Sequence, residues 1–277
     1  METKYSVLMS VYFKEKAEFL QQSIQSIMDQ TILPDQFVLV CDGELTEPLN
    51  DVIQKFLDDY SDIMEVVRLE TNQGLGRALN EGLKHCRNEL VARMDSDDIS
   101  RPNRCEKQLE VFNQHPEYGI VSGTIEEFSE CTGSIPEVIN VRKVLPETHD
   151  EIKKYMKRRN PFNHPCVMYR CSEVIDAGSY QDFYLLEDYY LWIRMIINGS
   201  IGYNIQEPLL WMRAGSEMYR RRSGWRYVKS QCRLFKYMYD QGVISWFHYR
   251  RCCIERAVGS LVPNKIRQAA YSKFLRK

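Results

Sequence analysis

The chain has 277 residues, 44% of them hydrophobic and 27% charged, with 14 glycines and 10 prolines. This composition excludes disorder, collagen-like repeats and coiled coil, and it fits one or two soluble globular domains. No apolar run nears the roughly 18 residues that span a bilayer, and the short run Val7–Phe13 does not read as a secretory signal. Nine cysteines without a CxxC pair read as reduced cytosolic thiols.

The net charge of −1 hides an asymmetry. From Trp211 onward 16 Lys and Arg stand against Glu217, Asp240 and Glu255, a balance of +13, while residues 1–210 hold 21 basic and 35 acidic residues. An acidic body with a basic, surface-seeking tail is the reading.

In chain order, Tyr5–Val11 is a continuous apolar run, as in a strand covered on both faces. Phe19, Leu20, Ile24, Ile27 and Met28 recur at helical spacing, and Pro34 marks the exit. A second strand, Phe37–Cys41, stops at Asp42-Gly43; a helix spans Pro48–Tyr60 and a third strand Met64–Leu69. The loop Asn72-Gln-Gly-Leu-Gly76 leads into a helix over Arg77–Cys86, and a fourth strand, Leu90–Met94, runs into Asp95-Ser-Asp97-Asp98. Such β-α-β repeats predict a parallel sheet with right-handed crossovers, whose ligands sit beyond the carboxyl ends of the strands. Asp42 and the Asp95–Asp98 cluster both fall there. Beyond this, helices are predicted over Asn103–His115, Glu147–Arg159, Glu187–Ile197 and from Trp225 onward. Strands are predicted over Gly119–Phe128 and Val167–Arg170, with a loop-rich excursion over Ser129–Leu145.

Three carboxylates within one turn repel one another unless a cation or donors offset them, and hard oxygen ligands suit Mg²⁺ or Mn²⁺ beside a diphosphate. The competing reading is a cap by Asp98 or Ser100 for the helix after Pro102, which leaves Asp95 and Asp97 unexplained. Asp42-Gly43 alone is compatible with a plain turn. The Asn72–Gly76 loop is neither a dinucleotide fingerprint nor a P-loop, and Arg77 either meets a phosphate or is solvated. Glu187-Asp188 at a helix start is favoured by the helix dipole alone. A proton-abstracting base needs such a carboxylate in a partly dry pocket, which Tyr189, Tyr190 and Trp192 would supply while stacking on sugar. His164 lies between Pro161 and Pro165 as a single loop histidine.

Taken in order, Ser6–Tyr12, Asp42-Gly43, Asn72-x-Gly-Leu-Gly, Ala92-Arg-Met-Asp95-Ser-Asp97-Asp98-Ile-Ser-x-Pro102, Asn163-His164-Pro165 and Glu187-Asp188-Tyr resemble family-2 glycosyltransferases. The similarity is to the bacterial exopolysaccharide, capsule and O-antigen branch (the amylovoran-type enzymes), over about residues 4–215. The resemblance implies a GT-A fold, α/β with a Rossmann-like, mostly parallel central sheet. It implies a catalytic domain over 1–215, with a nucleotide-sugar half at 1–102 and an acceptor half at 103–215; the basic helical tail at 216–277 is read from charge and helical spacing alone.

It further implies an inverting hexosyl transfer from a UDP-sugar to a lipid-diphosphate-linked acceptor. Ser10, Val11 and Tyr12 would line the base pocket, with Asp42 reading uracil. Asn72, Gly76 and Arg77 would flank the diphosphate. Asp95 would face ribose and Asp97 the Mn²⁺ or Mg²⁺ ion. Asp188 would be the base with Glu187 beside it, and His164 and Trp192 would lie on the acceptor side. The family commonly carries Pro and Asn where this chain has Ser10 and Phe13. The basic tail, through Trp225, Phe235, Trp246, Phe247 and Phe274, is expected to dock on the anionic inner face of the cytoplasmic membrane, the alternative being that its helices pack on the catalytic domain or on a second subunit, with their charges solvated or meeting the acidic body. A homodimer is left open.

A nucleotidylyltransferase would carry a glycine-rich loop after the first strand, and Ser10–Lys14 has no glycine. A non-catalytic sugar-nucleotide-binding subunit of a polysaccharide complex is the alternative reading, for which a broken DXD pair or a missing base would be expected. A nucleic-acid partner, suggested only by Arg220–Arg222, is not expected beside an acidic body without a binding motif.

Overall fold

The structure, a computed structural model, describes residues 4–129, 131–132, 135–136, 139–214 and 224–261. Arg220–Arg222 and Phe274 lie outside the described residues.

The first half follows the sequence pattern closely. Strands β1 (Ser6–Val11), β2 (Gln36–Cys41), β3 (Met64–Arg68) and β4 (Leu90–Asp95) alternate with helices α1 (Ala17–Met28), α2 (Glu47–Asp59) and α3 (Leu75–His85). They pair in parallel in the order β3-β2-β1-β4. Both faces of β1 are covered. Leu8 joins the core under α3, while Val7, Met9 and Val11 join the core under α1 and α2. Burial on both sides is why β1 and β2 read as apolar runs.

Helix α3 packs on the sheet through Gly82, where an added Cβ would fall inside contact distance of Leu8 Cδ1 and Val40 Cγ2. Gly82→Ala, favourable by helix propensity, is therefore expected to destabilise the fold by about 1–3 kcal/mol through overpacking. Chemical denaturation should show a lower midpoint at unchanged slope.

The second half is mixed. After β5 (Ile99–Ser100) and α4 (Arg104–Gln114), the long β6 (Tyr118–Phe128) lies antiparallel to β10 (Met168–Arg170), which joins it antiparallel to β4. The Ser129–Leu145 excursion, expected as loop, carries β7 (Cys131–Thr132), β8 (Ile135–Pro136) and β9 (Ile139–Lys143), and β9 pairs with β6. Helix α5 (His149–Tyr155) is shorter than the charged run that suggested it, and α6 (Cys171–Asp176) precedes α7 (Glu187–Ile197). A strand not expected from the pattern, β11 (Ile201–Arg213), runs parallel to β6 and pairs with β5. Its interruption by Gln206, Glu207 and Pro208, where the register shifts, masks the strand signal in sequence.

The helices α8 (Trp225–Asp240) and α9 (Trp246–Leu261) do not stand apart from this body. Leu234, Phe235, Met238, Ile244 and Cys252 belong to the same apolar cluster as Leu191, Trp192 and Met195 of α7. The Ser230 hydroxyl donates to Tyr184 O at 2.8 Å. The guanidinium of Arg226 stacks on Tyr184 and that of Arg233 on Phe183. Phe235, expected at a membrane surface, is thus buried against the body, whereas Trp225, Trp246 and Phe247 are 62%, 50% and 79% exposed. An amphipathic stripe specifies a buried face but not the surface that buries it. No described helix is long and apolar enough to cross a membrane.

Candidate active site

The carboxyl ends of β1, β2 and β4 lie level. Ser10 pairs with Asp95 and Val11 with Cys41, and the Asp42 amide donates to Val11 O at 2.8 Å. This places Ser10, Val11, Asp42 and Asp95 at one edge of the sheet, with Tyr12 exposed just beyond.

Asp42 is committed to shaping the loop beside it. Its Oδ1 accepts from the Gln73 amide at 2.7 Å and its Oδ2 from the Gly74 amide at 3.0 Å, while Asn72 Nδ2 donates to Asp42 O at 3.1 Å. Gly43, at φ +88°, lies so close to this loop that a Cβ would sit 2.6 Å from the Asn72 amide nitrogen. The Asp-Gly pair is therefore a close backbone contact between two loops rather than an isolated turn. The loop feeds α3, where Arg77 is exposed and Gly76 packs against the next carboxylates; a Cβ there would meet Glu187 Cβ at 3.8 Å.

Asp95, Asp97 and Asp98 bring oxygens within 4.8 Å of one another. Each is held differently. Asp95 pairs with Arg93, which is fully buried beneath it. Asp98 is buried and accepts from the Arg213 amide at 2.8 Å through Oδ1, leaving Oδ2 without a partner. Burial, then Asp95 and Glu15, raises the Asp97 carboxyl to about 7, and burial with Asp97 and Asp95 raises Asp98 well above the carboxylate range. Three crowded acids and an orphaned oxygen are a donor set that fits a hard divalent cation. The capping alternative does not hold, because α4 starts from Asn103, Asp98 binds β11, and the Ser100 hydroxyl meets Gln30.

Arg213 is a site residue that the sequence pattern does not single out. Its Nε donates to Asp97 O at 3.0 Å, its Nη2 to Gln22 Oε1 at 2.7 Å, and its guanidinium stacks 3.7 Å from the Phe19 ring centre. It fixes the acidic turn from a strand 115 residues away along the chain.

Glu187 and Asp188 open α7, where the helix dipole favours negative charge. Asn160 Nδ2 donates to Asp188 Oδ2 at 2.6 Å. Burial, Asp188 and, more weakly, Asp95 raise the Glu187 carboxyl to about 7, so the strand-end acids and the α7 acids share one field. Leu185, two residues earlier, sits at φ +57°, a left-handed conformation that costs about 1–3 kcal/mol and aims the chain into α7.

His164, in a 3₁₀ turn (His164–Cys166), meets the Tyr180 hydroxyl at 3.1 Å. Burial and the Arg93 charge hold its imidazole well below the usual range, hence neutral at pH 7. Tyr180 is a second residue the pattern did not single out. Its backbone is fastened to α3 by Asn80, with bonds of 2.6 and 2.8 Å. Trp192 and Tyr189 are core residues, 0% and 4% exposed, so neither presents a face for stacking on sugar as expected. They back the site instead, Trp192 edge-on to His164.

The glycosyl transferase family 2 profile matches residues 6–178. The chain is 38% identical to the Escherichia coli UDP-Gal:alpha-D-GlcNAc-diphosphoundecaprenol beta-1,3-galactosyltransferase, over 99% of this chain and 97% of that one. It is 38% identical to the amylovoran biosynthesis glycosyltransferase AmsE of Erwinia amylovora, over 97% and 98% of the two chains. Among solved structures, S. aureus TarS 1–349 in complex with UDP-GlcNAc superposes with a TM-score of 0.68 at 17% identity, covering 98% of this chain and 76% of that one.

Proposed function

The chain belongs to glycosyl transferase family 2 and has the GT-A fold, and from that premise we propose that it transfers a hexose from a UDP-sugar to a lipid-diphosphate-linked sugar, with inversion. The observation that carries this reading is that Glu187, beside Gly76 at the start of α3 and next to the Asn160-held Asp188, feels the charge of the strand-end Asp95. Full-length similarity to a galactosyltransferase acting on a diphosphoundecaprenol substrate supports the donor and acceptor classes.

In this reading Asp188, oriented by Asn160, takes the proton of the acceptor hydroxyl as that oxygen attacks the anomeric carbon from the face opposite the leaving diphosphate. One displacement turns an α-linked donor into a β-linked product. Glu187 holds the acceptor. Asp42 keeps the Asn72–Gly74 loop in shape against the nucleotide, Ser10, Val11 and Tyr12 line the base, and Asp95 faces the ribose. Asp97, with Asp95 and Asp98 nearby, would hold Mn²⁺ or Mg²⁺, which supplies charge neutralisation for the departing diphosphate. Arg77 at the start of α3 faces the same charge. His164 is a neutral hydrogen-bonding group on the acceptor side, set by Tyr180.

The test is incubation with UDP-galactose, UDP-glucose and UDP-N-acetylglucosamine, Mn²⁺, and α-GlcNAc-diphosphate carrying a short lipid. A new β-linkage by NMR is the expected product. Donor hydrolysis and transfer both absent with every donor would instead fit a non-catalytic binding subunit.

We further propose attachment to the inner face of the membrane through α9. There Trp246, Phe247, Ile254 and Val258 are exposed beside Arg250 and Arg251. Vesicle co-sedimentation should be strong with anionic lipid, weak with neutral lipid and reduced by salt. A Phe247→Ser, Ile254→Ser variant that sediments like the wild type would rule this face out.

A further inference from the structure

We propose that the arginine-lined cavity between the end of α5 and helix α9 receives the diphosphate of the lipid-linked acceptor. The proposal rests on the acceptor class given above and adds the residues that read its phosphates. The cavity has a volume of about 290 Å³ and is lined by Tyr155, Arg158, Arg159, Cys252, Glu255 and Arg256. Three guanidiniums against one carboxylate leave this lining at +2, which matches the two negative charges of a diphosphate diester.

The cavity is built, not incidental. Arg256 Nη2 donates to Arg158 O at 2.8 Å and His248 Nε2 meets Lys157 O at 3.0 Å, so α9 fixes the backbone that carries the arginines. Glu255 sits among them, 3.4 Å from Arg158 and 2.7 Å from Arg251, and these cations hold its carboxyl below the usual range. It stands as an internal counter-ion where a phosphate would bind. Guanidinium forks match phosphate oxygens bidentately, as they do a carboxylate.

Position along the chain fits as well. Arg159 directly precedes Asn160, whose amide holds Asp188, and adjacent Cα atoms lie about 3.8 Å apart. An acceptor with its attacking hydroxyl at Asp188 carries its diphosphate on its own anomeric carbon, one sugar ring away. The exposed apolar residues Phe247, Ile254 and Val258 also lie on α9.

The experiment measures binding of the GlcNAc esters of geranylgeranyl diphosphate and of geranylgeranyl monophosphate by calorimetry, so that each phosphate carries a single charge as in the acceptor, with UDP and Mn²⁺ present to occupy the donor site. The wild type should prefer the diphosphate by about tenfold or more. The paired change Arg158→Ala, Arg159→Ala and the single change Arg256→Ala should each weaken it about 10- to 100-fold, as for a lost charge-assisted contact. Glu255→Gln should tighten it several-fold, a gain that a purely structural role would not produce. In transfer assays the paired variant should raise KM for the lipid-linked acceptor and leave KM for the UDP-sugar unchanged. Equal affinity for mono- and diphosphate, or undiminished diphosphate binding by the arginine variants, overturns the proposal. Loss of anionic-vesicle binding with unchanged diphosphate affinity also overturns it, because these arginines then read lipid headgroups. If the wild type glycosylates no lipid-linked acceptor yet binds the prenyl diphosphate ester through these arginines, the acceptor reading fails and the anion site stands.

Discussion

Asp188→Asn is expected to bind UDP-sugar as the wild type does and to transfer sugar about 10²–10⁴-fold more slowly, the range by which a positioned general base contributes. The amide keeps the shape of the carboxylate and leaves the bond from Asn160 a partner oxygen, so the change removes basicity and little else. The base acts only as the acceptor oxygen attacks, so the loss belongs in kcat and not in donor affinity. Titration calorimetry with UDP-sugar and single-turnover transfer separate the two. Weakened donor binding in this variant would remove Asp188 from the role of base.

The same site carries a pH signature. Glu187 titrates near 7 because burial and Asp188 disfavour its charge. Above that value it is ionised, and as pH falls through it the carboxylate takes a proton and loses the charge that strengthens its bond to the acceptor hydroxyl. Transfer should therefore decline on the acid side of about pH 7. Glu187→Gln should give a low rate without that limb, and an identical limb in the variant would assign the titration elsewhere.

Asp97→Ala is the second large effect. It is expected to abolish cation-dependent binding of UDP-sugar, since it leaves only Asp95, already paired with Arg93, and the single unpartnered oxygen of Asp98. The ligand-free protein should nevertheless become more stable. Asp97 is pushed to about 7 by burial and by Asp95 and Glu15, so at neutral pH its ionised form is disfavoured in the folded state relative to the unfolded chain. Functional sites commonly hold such destabilising groups. Thermal melts in EDTA should show a higher midpoint for the variant, and adding Mn²⁺ with UDP should raise the wild type's midpoint alone. A variant that retains Mn²⁺-dependent UDP binding would move the metal role to Asp95 and Asp98.

Much of the candidate site was legible because it is local. A strand covered on both faces reads as an apolar run wherever it ends, so the polar residues Asp42 and Asp95 that end such runs are located without tertiary information. The same holds for Glu187-Asp188, which open a helix marked by Asn198-Gly199 at its far end. Misreadings occurred where one-dimensional pattern is ambiguous. Aromatic residues beside Asp188 suggested a stacking surface, yet at helical spacing Tyr189 and Trp192 turn inward, 4% and 0% exposed. In α8, Phe235, expected with Trp225 at a membrane surface, is buried, whereas Trp225 is 62% exposed.

The sequence by itself determined the chain order of the first four strands and three helices, the edge of the sheet that carries the candidate site, and the acids that stand there, because periodicity and chain punctuation are properties of near neighbours. Only the tertiary structure decided which distant groups restrain those acids. Arg93 points from within β4 to Asp95, Arg213 arrives from β11 to hold Asp97 and Asp98, and Asn160 reaches Asp188 across 28 residues. Tertiary packing also decided that α8 and α9 close over α7 and form the arginine-lined cavity. An amphipathic helix must bury its apolar face, but its sequence does not say against what. That choice belongs to the shape and charge of the surface it meets.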